Sequence, residues 1–375
     1  MRIASVLLTN FKNDNRVFRI ADSLQSKGHE VKIVAWKKGD VEEYENFNGV
    51  NVHRIVLKWV SWKSKSKWFG AIRILEFFYR SIKLYRKYDA WHCNDFEAFM
   101  VGRVAKMFNP KLKLVYDCHE YETERYGKSK LERRVTAFLE RRTIHKADVV
   151  ITVGPSIQKE YIRLYGLKEV FLLRNTPHKM SFPKGEVFRE KFGIRKDQMI
   201  FLYQGMLAGG RGVEVLLETF LNRKSDDAVV VFMGYGNMEQ PIRDAAEKSP
   251  IIFLHPAVPY ELIFSFTCSA DVGLNTPQNH CLSYYYCMPN KLFEYIQAGI
   301  PVLTNDLPDC RELVLTEGIG EVIPHYDVDG VNEAIALMQR KSLESYTPAL
   351  NQAKEKLHWE NEVKVLFEAY SRIGG

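Results

Sequence analysis

Short apolar runs alternate with amphipathic helical patterns along the chain, and this alternation restricts the fold more than any other feature. The first two runs, at residues 2–9 and 30–36, are separated by a helical pattern over 16–27 that stops at Gly28. A strand, a helix and a second strand in this order form a β-α-β unit with parallel strands. The sequence therefore predicts an α/β protein built on parallel sheets.

The alternation forms two series, separated by a polar stretch that holds Pro183 and Gly185. Because 375 residues exceed what one hydrophobic core usually serves, we expect two doubly wound, Rossmann-like domains facing each other across a cleft. The predicted segments are a first domain over 1–178 with a wholly parallel sheet, a second domain over 186–355, and a terminal helix over 356–375 that packs back toward the first domain. An amphipathic pattern over 351–373 supports this terminal helix.

The predicted elements can be listed by series. In the first series we expect strands at 2–9, 30–36, 51–57, 89–93, 112–116, 148–153 and 169–174, and helices at 16–27, 68–87, 96–107, 129–146 and 155–165. In the second series we expect strands at 199–204, 228–233, 251–254, 271–274 and 301–304, and helices at 212–222, 237–248, 259–268 and 290–298.

Composition excludes several classes of protein. With 46% hydrophobic and 26% charged residues the chain is typical of soluble globular proteins, and no apolar run is long enough to span a membrane. The N-terminal apolar run is too short for a secretory signal, so we expect a cytoplasmic protein. Six cysteines without a C-x-x-C pair predict neither a zinc site nor disulfides. The loop at 10–15 lacks G-x-G-x-x-G, which argues against a nicotinamide dehydrogenase.

The charge is divided unevenly between the two halves. Residues 1–180 hold 35 Lys and Arg against 20 Asp and Glu, a net of +15, whereas residues 181–375 hold 18 against 26, a net of −8. A basic first half predicts that this part of the chain meets an anionic surface or substrate.

Residues 289–304 carry the most specific chemical pattern. Lys291 and Glu294 share one face at the start of a predicted helix that Gly299 ends. Free amides and the positive dipole end at a helix N-terminus favour a phosphate, and the amides of Asn290 and Lys291 belong to this end. A nucleotide sugar needs such a set, with a cation and amides for its diphosphate and a carboxylate for its ribose hydroxyls. The alternative is an ordinary surface ion pair.

Two glycine-rich segments follow other strands of the second series. The first runs from Gly205 to Arg211 at the start of a helix, which is typical of a phosphate-binding loop, although a plain turn would look the same. The second holds Gly234 and Gly236, where glycines allow a ligand to approach the backbone closely. The three features together predict one crevice.

In this order, G-x5-R-G-x3-L-L, G-x-G and P-N-K-L-F-E-Y-x-x-A-G-I-P-V resemble the donor domain of the GT-B retaining glycosyltransferases, most of all glycosyltransferase family four. The stretch from Asn15-Arg16-Val17 to Gly28-His29-Glu30-Val31 is similar to the opening βα unit of that family. Tyr116-Asp117-Cys118-His119-Glu120 matches its D-x-H-E sequence. The resemblance spans nearly the whole chain.

The resemblance implies a role for each matching residue. Arg211 and Lys291 would bind the donor phosphates, Glu294 would hold the ribose, and His119 would reach the transferred sugar, so that His119 and Glu294 are the catalytic candidates. The alternative for His119 is a buried histidine bonded to the backbone. Fixed cations in place of a metal are expected to stabilise the leaving diphosphate, so we predict no metal and no cofactor. The acceptor-side candidates are Asn13, Arg16, Asp95 and Glu120.

The chain departs from the family pattern at two positions. Tyr286 stands where the first carboxylate of a Glu-x7-Glu pair is common, and Met206 stands where an arginine follows the loop glycine. The tyrosines at 284–286 can replace charged contacts by stacking or hydroxyl bonds, or serve only as packing.

Residues 58–87 hold nine Lys or Arg, one acid (Glu76) and three tryptophans. This mixture suits an element that binds an anionic membrane surface, and an ordinary amphipathic helix with a solvated basic face is the alternative. A second basic tract over 125–146 favours the membrane. No RNP, KH or helix-turn-helix signature supports a nucleic-acid partner.

The sequence thus predicts a glycosyltransferase that uses a nucleotide-diphosphate sugar, with a sugar or lipid-linked glycan as acceptor, in the assembly of a bacterial surface glycan. It would act in the cytoplasm or on the inner face of the cell membrane. A nucleotide-sugar epimerase of the same fold and a catalytically inactive sugar-nucleotide-binding homologue are the alternatives.

Overall fold

The computed structural model describes residues 1–12, 14–59 and 67–374, with only the backbone at 67 and 68. The chain forms two compact units, Met1–Arg174 together with the segment from Val363 onward, and Asn175–Glu362.

The elements are numbered in chain order. The strands of the first unit are β1 (Arg2–Val6), β2 (Glu30–Trp36), β3 (Tyr44–Phe47), β4 (Val50–Ile55), β5 (Ala90–Asn94), β6 (Lys113–Cys118), β7 (Val149–Thr152) and β8 (Phe171–Leu172). Its helices are α1 (Asn15–Ser26), α2 (Lys67–Tyr85), α3 (Asp95–Phe108), α4 (Lys130–Thr143) and α5 (Pro155–Tyr165). Short 3-10 turns occupy Glu122–Glu124 and Ile144–Lys146.

The second unit continues this numbering. Its helices are α6 (Val187–Phe192), α7 (Val213–Asn222), α8 (Glu239–Ala246), α9 (Tyr260–Thr267), α10 (Leu282–Tyr285), α11 (Asn290–Ala298), α12 (Pro308–Glu317), α13 (Val328–Arg340) and α14 (Thr347–Lys356). Its strands are β9 (Met199–Met206), β10 (Ala228–Tyr235), β11 (Ile252–Pro256), β12 (Val272–Asn275), β13 (Val302–Asn305) and β14 (Gly320–Ile323). The last helix, α15 (Trp359–Ser371), runs into the segment assigned to the first unit.

The first unit has an eight-stranded sheet with the order β3-β4-β2-β1-β5-β6-β7-β8. The prediction of a wholly parallel sheet is wrong at one edge, because β3 pairs antiparallel with β4. Asn48 and Gly49 join these two strands with φ of 47° and 91°. An Asn-Gly pair with two positive φ angles forms the two-residue turn of a β-hairpin. The sequence contains this turn signal. The strand before it, β3, is short and polar and lacks the alternation of apolar and polar residues by which strands are predicted.

The second unit has a six-stranded sheet with the order β11-β10-β9-β12-β13-β14, and its described strand pairs are parallel. Both faces of this sheet are covered by helices, so β9 and β10 are almost entirely buried up to their carboxyl ends. Central strands of such sheets form continuous apolar runs, as Ala228–Met233 does.

The terminal pattern predicted over 351–373 is two helices, because the chain leaves helical geometry at Leu357. The amide of Trp359 then donates to the carbonyl of Pro177 (2.8 Å). In one continuous helix this amide would instead bond to a carbonyl within the helix. Within the described ranges no helix is both long and apolar enough to cross a membrane.

Candidate active site

In the second unit, the strand order reverses between β9 and β12. The carboxyl ends of strands at such a reversal are where open α/β sheets bind ligands. The loop after β9 ends at Gly212, the N-cap of α7, with a φ of 85°. A Cβ atom on Gly212 would lie 2.1 Å from the carbonyl oxygen of Thr276, just after β12. A glycine is therefore required for the two loops to pack together.

Helix α11 begins at Asn290 and ends at Gly299 in the left-handed conformation, which confirms the helix predicted over 290–298. Its first turn presents the backbone amides of Asn290 and Lys291. The Asn290 side chain is engaged elsewhere, because its Oδ1 accepts a hydrogen bond from Asn175 (2.7 Å).

Two cations near this helix lie against aromatic rings. The Nζ of Lys291 is 3.5 Å from the ring centroid of Tyr203, and the guanidinium of Arg211 is 4.8 Å from that of Tyr284. Neither cation forms an ion pair within the part of the chain that the structure describes. The ordinary ion pair between Lys291 and Glu294 is therefore not formed, and both positive charges remain available to an anion.

The pKa of Lys291 is lowered to about 7. Burial is the largest cause, the positive charge of Arg211 adds to it, and the nearby carboxylate of Glu294 opposes both. Two cations this close repel each other unless an anion lies between them. A diphosphate would supply that anion.

Glu294 is held by the neighbouring strand. The side-chain amide of Gln204 on β9 donates to Glu294 Oε2, and the Gln204 carbonyl accepts from the hydroxyl of Thr267 (2.8 Å). Tyr295 anchors the same helix, since its hydroxyl donates to the carbonyl of Leu202 (3.0 Å) and accepts from the amide of Gln204 (3.2 Å). Gln204 therefore orients the carboxylate directly, and Tyr295 fixes the helix that carries it.

The glycines of the other loop serve backbone packing. A Cβ on Gly234 would lie 1.8 Å from the Gly205 carbonyl oxygen, and one on Gly236 would lie 2.1 Å from that of Leu207. Gly234 thus lets the ends of β9 and β10 pair, and Gly236 lets the segments after these strands touch. This packing role differs from the close approach of a ligand that we expected. Gly205 itself has a φ of 120° and lies beside the Lys291 side chain.

In the first unit, β6 ends at the D-x-H-E residues and places Asp117 at the centre of a buried network. Arg16 binds the Asp117 carboxylate with two hydrogen bonds, 2.7 and 3.0 Å. His92 and His119 each direct Nε2 at Asp117 Oδ2, at 3.3 and 3.1 Å. Tyr370 on α15 contacts the other ring nitrogen of His92 (3.0 Å).

His119 is held as a cation. Burial alone would lower its pKa, but Asp95 and Asp117 raise the pKa to about 9. Its Nδ1 is 3.6 Å from Asp95 Oδ1, longer than a hydrogen bond, so this N–H group can donate to a ligand. A protonated imidazole donates hydrogen bonds and cannot act as a base at neutral pH.

Asp95 shapes this corner through an unusual backbone. It opens α3 with a φ of 69°, which side chains rarely adopt, and its Oδ1 accepts from the His119 amide (3.3 Å). Arg125 lies within 4 Å of Asp95, Glu97, Glu120 and Glu122. The loop that carries His119 is therefore locally acidic although its half of the chain is basic.

Comparison with known proteins decides the family. Residues 14–175 match the glycosyl transferase 4-like domain, and residues 185–356 match glycosyl transferases group 1. The chain belongs to the group 1 glycosyltransferases of the GT-B fold.

Individual relatives agree with this assignment. An uncharacterised glycosyltransferase of Methanocaldococcus jannaschii is 25% identical over 94% of this chain and 92% of its own length. Sucrose-phosphate synthase of Thermosynechococcus elongatus has a TM-score of 0.81 at 15% identity, over 100% of this chain and 99% of that one. HepE of Anabaena, solved with UDP and glucose, has a TM-score of 0.76 at 14% identity, with both chains covered completely. At these identities the two structures show the fold.

The glycosyltransferase thus brings Gly205, Arg211, Lys291 and Glu294 to one sheet edge of the second unit. Of the acceptor-side candidates, Asp95 at the start of α3 and Glu120 lie beside His119, whereas Arg16 is buried in its pair with Asp117. Asn13 lies outside the described residues. No group of His, Cys, Asp or Glu that could hold a metal occurs within the described ranges.

Sequence reasoning missed several residues that position these groups. Gln204 and Tyr203 hold Glu294 and Lys291, and Asp117 and His92 form the network under His119. One signal could have found His92, since a histidine within the fully buried strand β5 needs a polar partner. Tyr286 packs on Tyr285 with ring centroids 5.1 Å apart, and the Met206 side chain is exposed.

Proposed function

We propose that this glycosyltransferase transfers a sugar from a nucleotide-diphosphate-sugar donor to an acceptor hydroxyl, with retention of the anomeric configuration. The observation that carries this proposal is the pair of cations Lys291 and Arg211, held over aromatic rings at a helix N-terminus beside a fixed carboxylate. The setting is the assembly of a bacterial surface glycan such as a capsule, an O-antigen or an exopolysaccharide. The acceptor is a sugar or a lipid-linked glycan.

The donor contacts follow from the charges. The diphosphate meets Arg211, Lys291 and the first amides of α11, so its leaving charge is neutralised by groups already in place. Glu294 accepts the ribose hydroxyls, and its fixed orientation by Gln204 reduces the ordering that binding requires. His119, as a cation, donates a hydrogen bond through Nδ1 and takes no proton during transfer. Uridine diphosphate sugars are the first donors to test, because HepE was solved with UDP.

The first test separates the phosphate contacts from the ribose contact. Lys291→Ala and Arg211→Ala should each weaken binding of nucleotide diphosphate and of inorganic diphosphate by roughly 10- to 150-fold, the effect of losing about 1.5–3 kcal/mol. Glu294→Gln should weaken binding of the nucleotide diphosphate and leave binding of inorganic diphosphate unchanged. Calorimetric titration measures both ligands. Unchanged binding in both alanine variants would refute the donor site.

The same preparation tests the reaction. Hydrolysis of the sugar nucleotide without acceptor should be measurable, whereas a catalytically inactive homologue would show none and an epimerase would change the sugar instead. Proton NMR of the first product reads the anomeric configuration, and an inverted product would refute retention.

A second prediction concerns His119 and metals. His119→Ala should lower kcat by a larger factor than it weakens donor binding, because its hydrogen bond is needed during transfer. Transfer should also survive EDTA, since fixed cations supply the charge that a metal would otherwise bring. Loss of activity on chelation, restored by a divalent metal, would contradict the second part.

A further inference from the structure

Helix α4 buries a hydroxyl and a carboxylate, whereas three of its large apolar side chains face solvent. The two buried residues of this helix are Thr136 and Glu140. Glu140 accepts hydrogen bonds from the hydroxyls of Tyr116 (2.6 Å), Tyr161 (2.9 Å) and Tyr165 (2.5 Å). A surface helix normally buries its apolar side, so the orientation of α4 is the reverse of the usual one.

The opposite side of α4 forms an apolar stripe. Leu131 is 71% exposed, Val135 is 48% exposed and Phe138 is 57% exposed. Spacings of four and three residues place the three side chains on one helical face. Exposed leucine, valine and phenylalanine on one face are costly in water and indicate a surface that another phase or molecule covers.

Exposed arginines flank the stripe. Arg134, Arg141 and Arg142 are all exposed, and the Arg142 guanidinium lies 4.9 Å from the ring centroid of Phe138. The exposed acid Glu132 serves the N-terminus of the helix, where its carboxylate accepts from the Ser129 amide (2.7 Å) in a capping box. The outer face of α4 is therefore basic as well as apolar.

We propose that the outer face of α4, formed by Leu131, Arg134, Val135, Phe138, Arg141 and Arg142, is the surface that docks this glycosyltransferase on an anionic lipid bilayer. The arginines meet lipid phosphates while the apolar stripe enters the headgroup region, as in helices that lie in the membrane plane. The exposed arginines around the stripe, in the basic half of the chain, complement the negative surface of an anionic bilayer. This inference deepens the proposed function and rests on it for the use of a lipid-linked acceptor.

The position of α4 connects this surface to the reaction. The helix packs on the 3-10 turn Glu122–Glu124, which directly follows the His119 loop. Lys128 donates to the carbonyl of Glu122 (2.8 Å), and Arg133 pairs with Glu124 (2.8 Å). Docking through α4 would bring the loop with His119 close to the lipid surface, where a lipid-linked acceptor resides.

Co-sedimentation with vesicles tests the proposal. Vesicles of phosphatidylcholine with about 30% phosphatidylglycerol should retain the 375-residue chain at low salt. Added salt should release it, because screening weakens the arginine contacts. Pure phosphatidylcholine should retain little. Leu131→Ser with Phe138→Ser, and separately Arg134→Glu with Arg142→Glu, should each lower the partition coefficient by roughly tenfold or more.

Matched controls use exposed residues of the second unit, Leu262→Ser with Leu315→Ser and Lys224→Glu with Lys248→Glu. Equal retention of α4 variants and controls would overturn the proposal, as would failure of anionic vesicles to retain the wild type. It would also be overturned if only Leu75→Ser with Tyr79→Ser on α2 abolished binding, or if the α4 variants instead dissolved a dimer seen by light scattering. Hydrolysis of the sugar nucleotide, measured without vesicles, tests the proposed function separately from membrane binding.

Discussion

Lys291 and Glu294 stand three residues apart on one helix, but their side chains have different neighbours. Lys291 lies over Tyr203, whereas Glu294 accepts from Gln204. Within the described residues no ion pair joins Lys291 to Glu294, so the positive charge of Lys291 remains available to an anionic ligand. The spacing alone could not distinguish this arrangement from a surface salt bridge, since both need the same two residues on one face.

The lowered pKa of Lys291 predicts a pH dependence of donor binding. In the free site, Lys291 loses its positive charge as the pH rises through about 7. A bound diphosphate favours the protonated form of Lys291. Above about pH 7, binding must take up a proton, so the affinity for nucleotide diphosphate should fall by up to about tenfold per pH unit, and below it the affinity should be nearly constant.

The control for this prediction is Lys291→Arg, which stays charged and should remove the dependence. Calorimetry in buffers of different ionisation enthalpy measures the proton uptake directly. Absence of proton uptake above pH 7 in the wild type would contradict a neutral Lys291.

At the scale of elements, Asp117 joins three parts of the first unit, because it lies at the end of β6 and binds Arg16 on α1 and His92 on β5. Burial would raise the pKa of Asp117, but Arg16 and the two histidines hold the pKa well below its usual range. The network therefore both positions His119 and stabilises the sheet.

Removing this carboxylate should be costly. Asp117→Ala leaves the buried Arg16 guanidinium without its partner and should lower the free energy of unfolding by about 3–5 kcal/mol, measured with urea. Since the folded pKa is depressed, the contribution is present above the unfolded pKa of about 3.9 and is lost as the pH falls through the folded pKa. Asp197→Ala, which breaks an exposed pair with Arg195, is the control and should change little. Similar decreases in the free energy of unfolding in both variants would show that burial of the Arg16–Asp117 pair is unimportant.

At the scale of the whole molecule, the chain returns to its first unit at the C-terminus. In this segment Tyr370 contacts His92, Lys27 lies 4.6 Å from the Phe367 ring, and Arg372 pairs with Glu169 (2.9 Å). The last residues therefore complete a unit that began at Met1.

Truncation after Glu362 should loosen the first unit selectively. Amide hydrogen exchange should become faster in α1 and β5, which lose Phe367 and Tyr370, while β9 and β10 keep their protection. Tyr370→Phe isolates the hydroxyl contact and should cost about 0.5–1.5 kcal/mol. Faster exchange confined to the second unit would contradict this assignment.

The helices and strands that position the donor residues could be predicted from local signals. The helix predicted over 290–298 is found with its glycine cap, the strand predicted over 199–204 lies within β9, and the first two D-x-H-E residues form the end of β6. These features depend on neighbours a few residues away, which periodicity and capping residues report. The hairpin at Asn48-Gly49 was missed because its first strand is short and polar, although its turn signal is local.

Local patterns in the sequence are sufficient to predict the α/β class, the family resemblance and the residues that carry charge at the donor site. The folded structure sets the partner of each charged group: Arg16 pairs with the Asp117 carboxylate, 101 residues away, and Glu294 accepts a hydrogen bond from the Gln204 side-chain amide, 90 residues away. The physical reason is that burial and charge partners set the state of an ionisable group, and both come from strands that meet only when the sheet forms. The same holds for α4, whose apolar stripe looks ordinary in sequence and acquires meaning because Glu140, not Phe138, faces the protein.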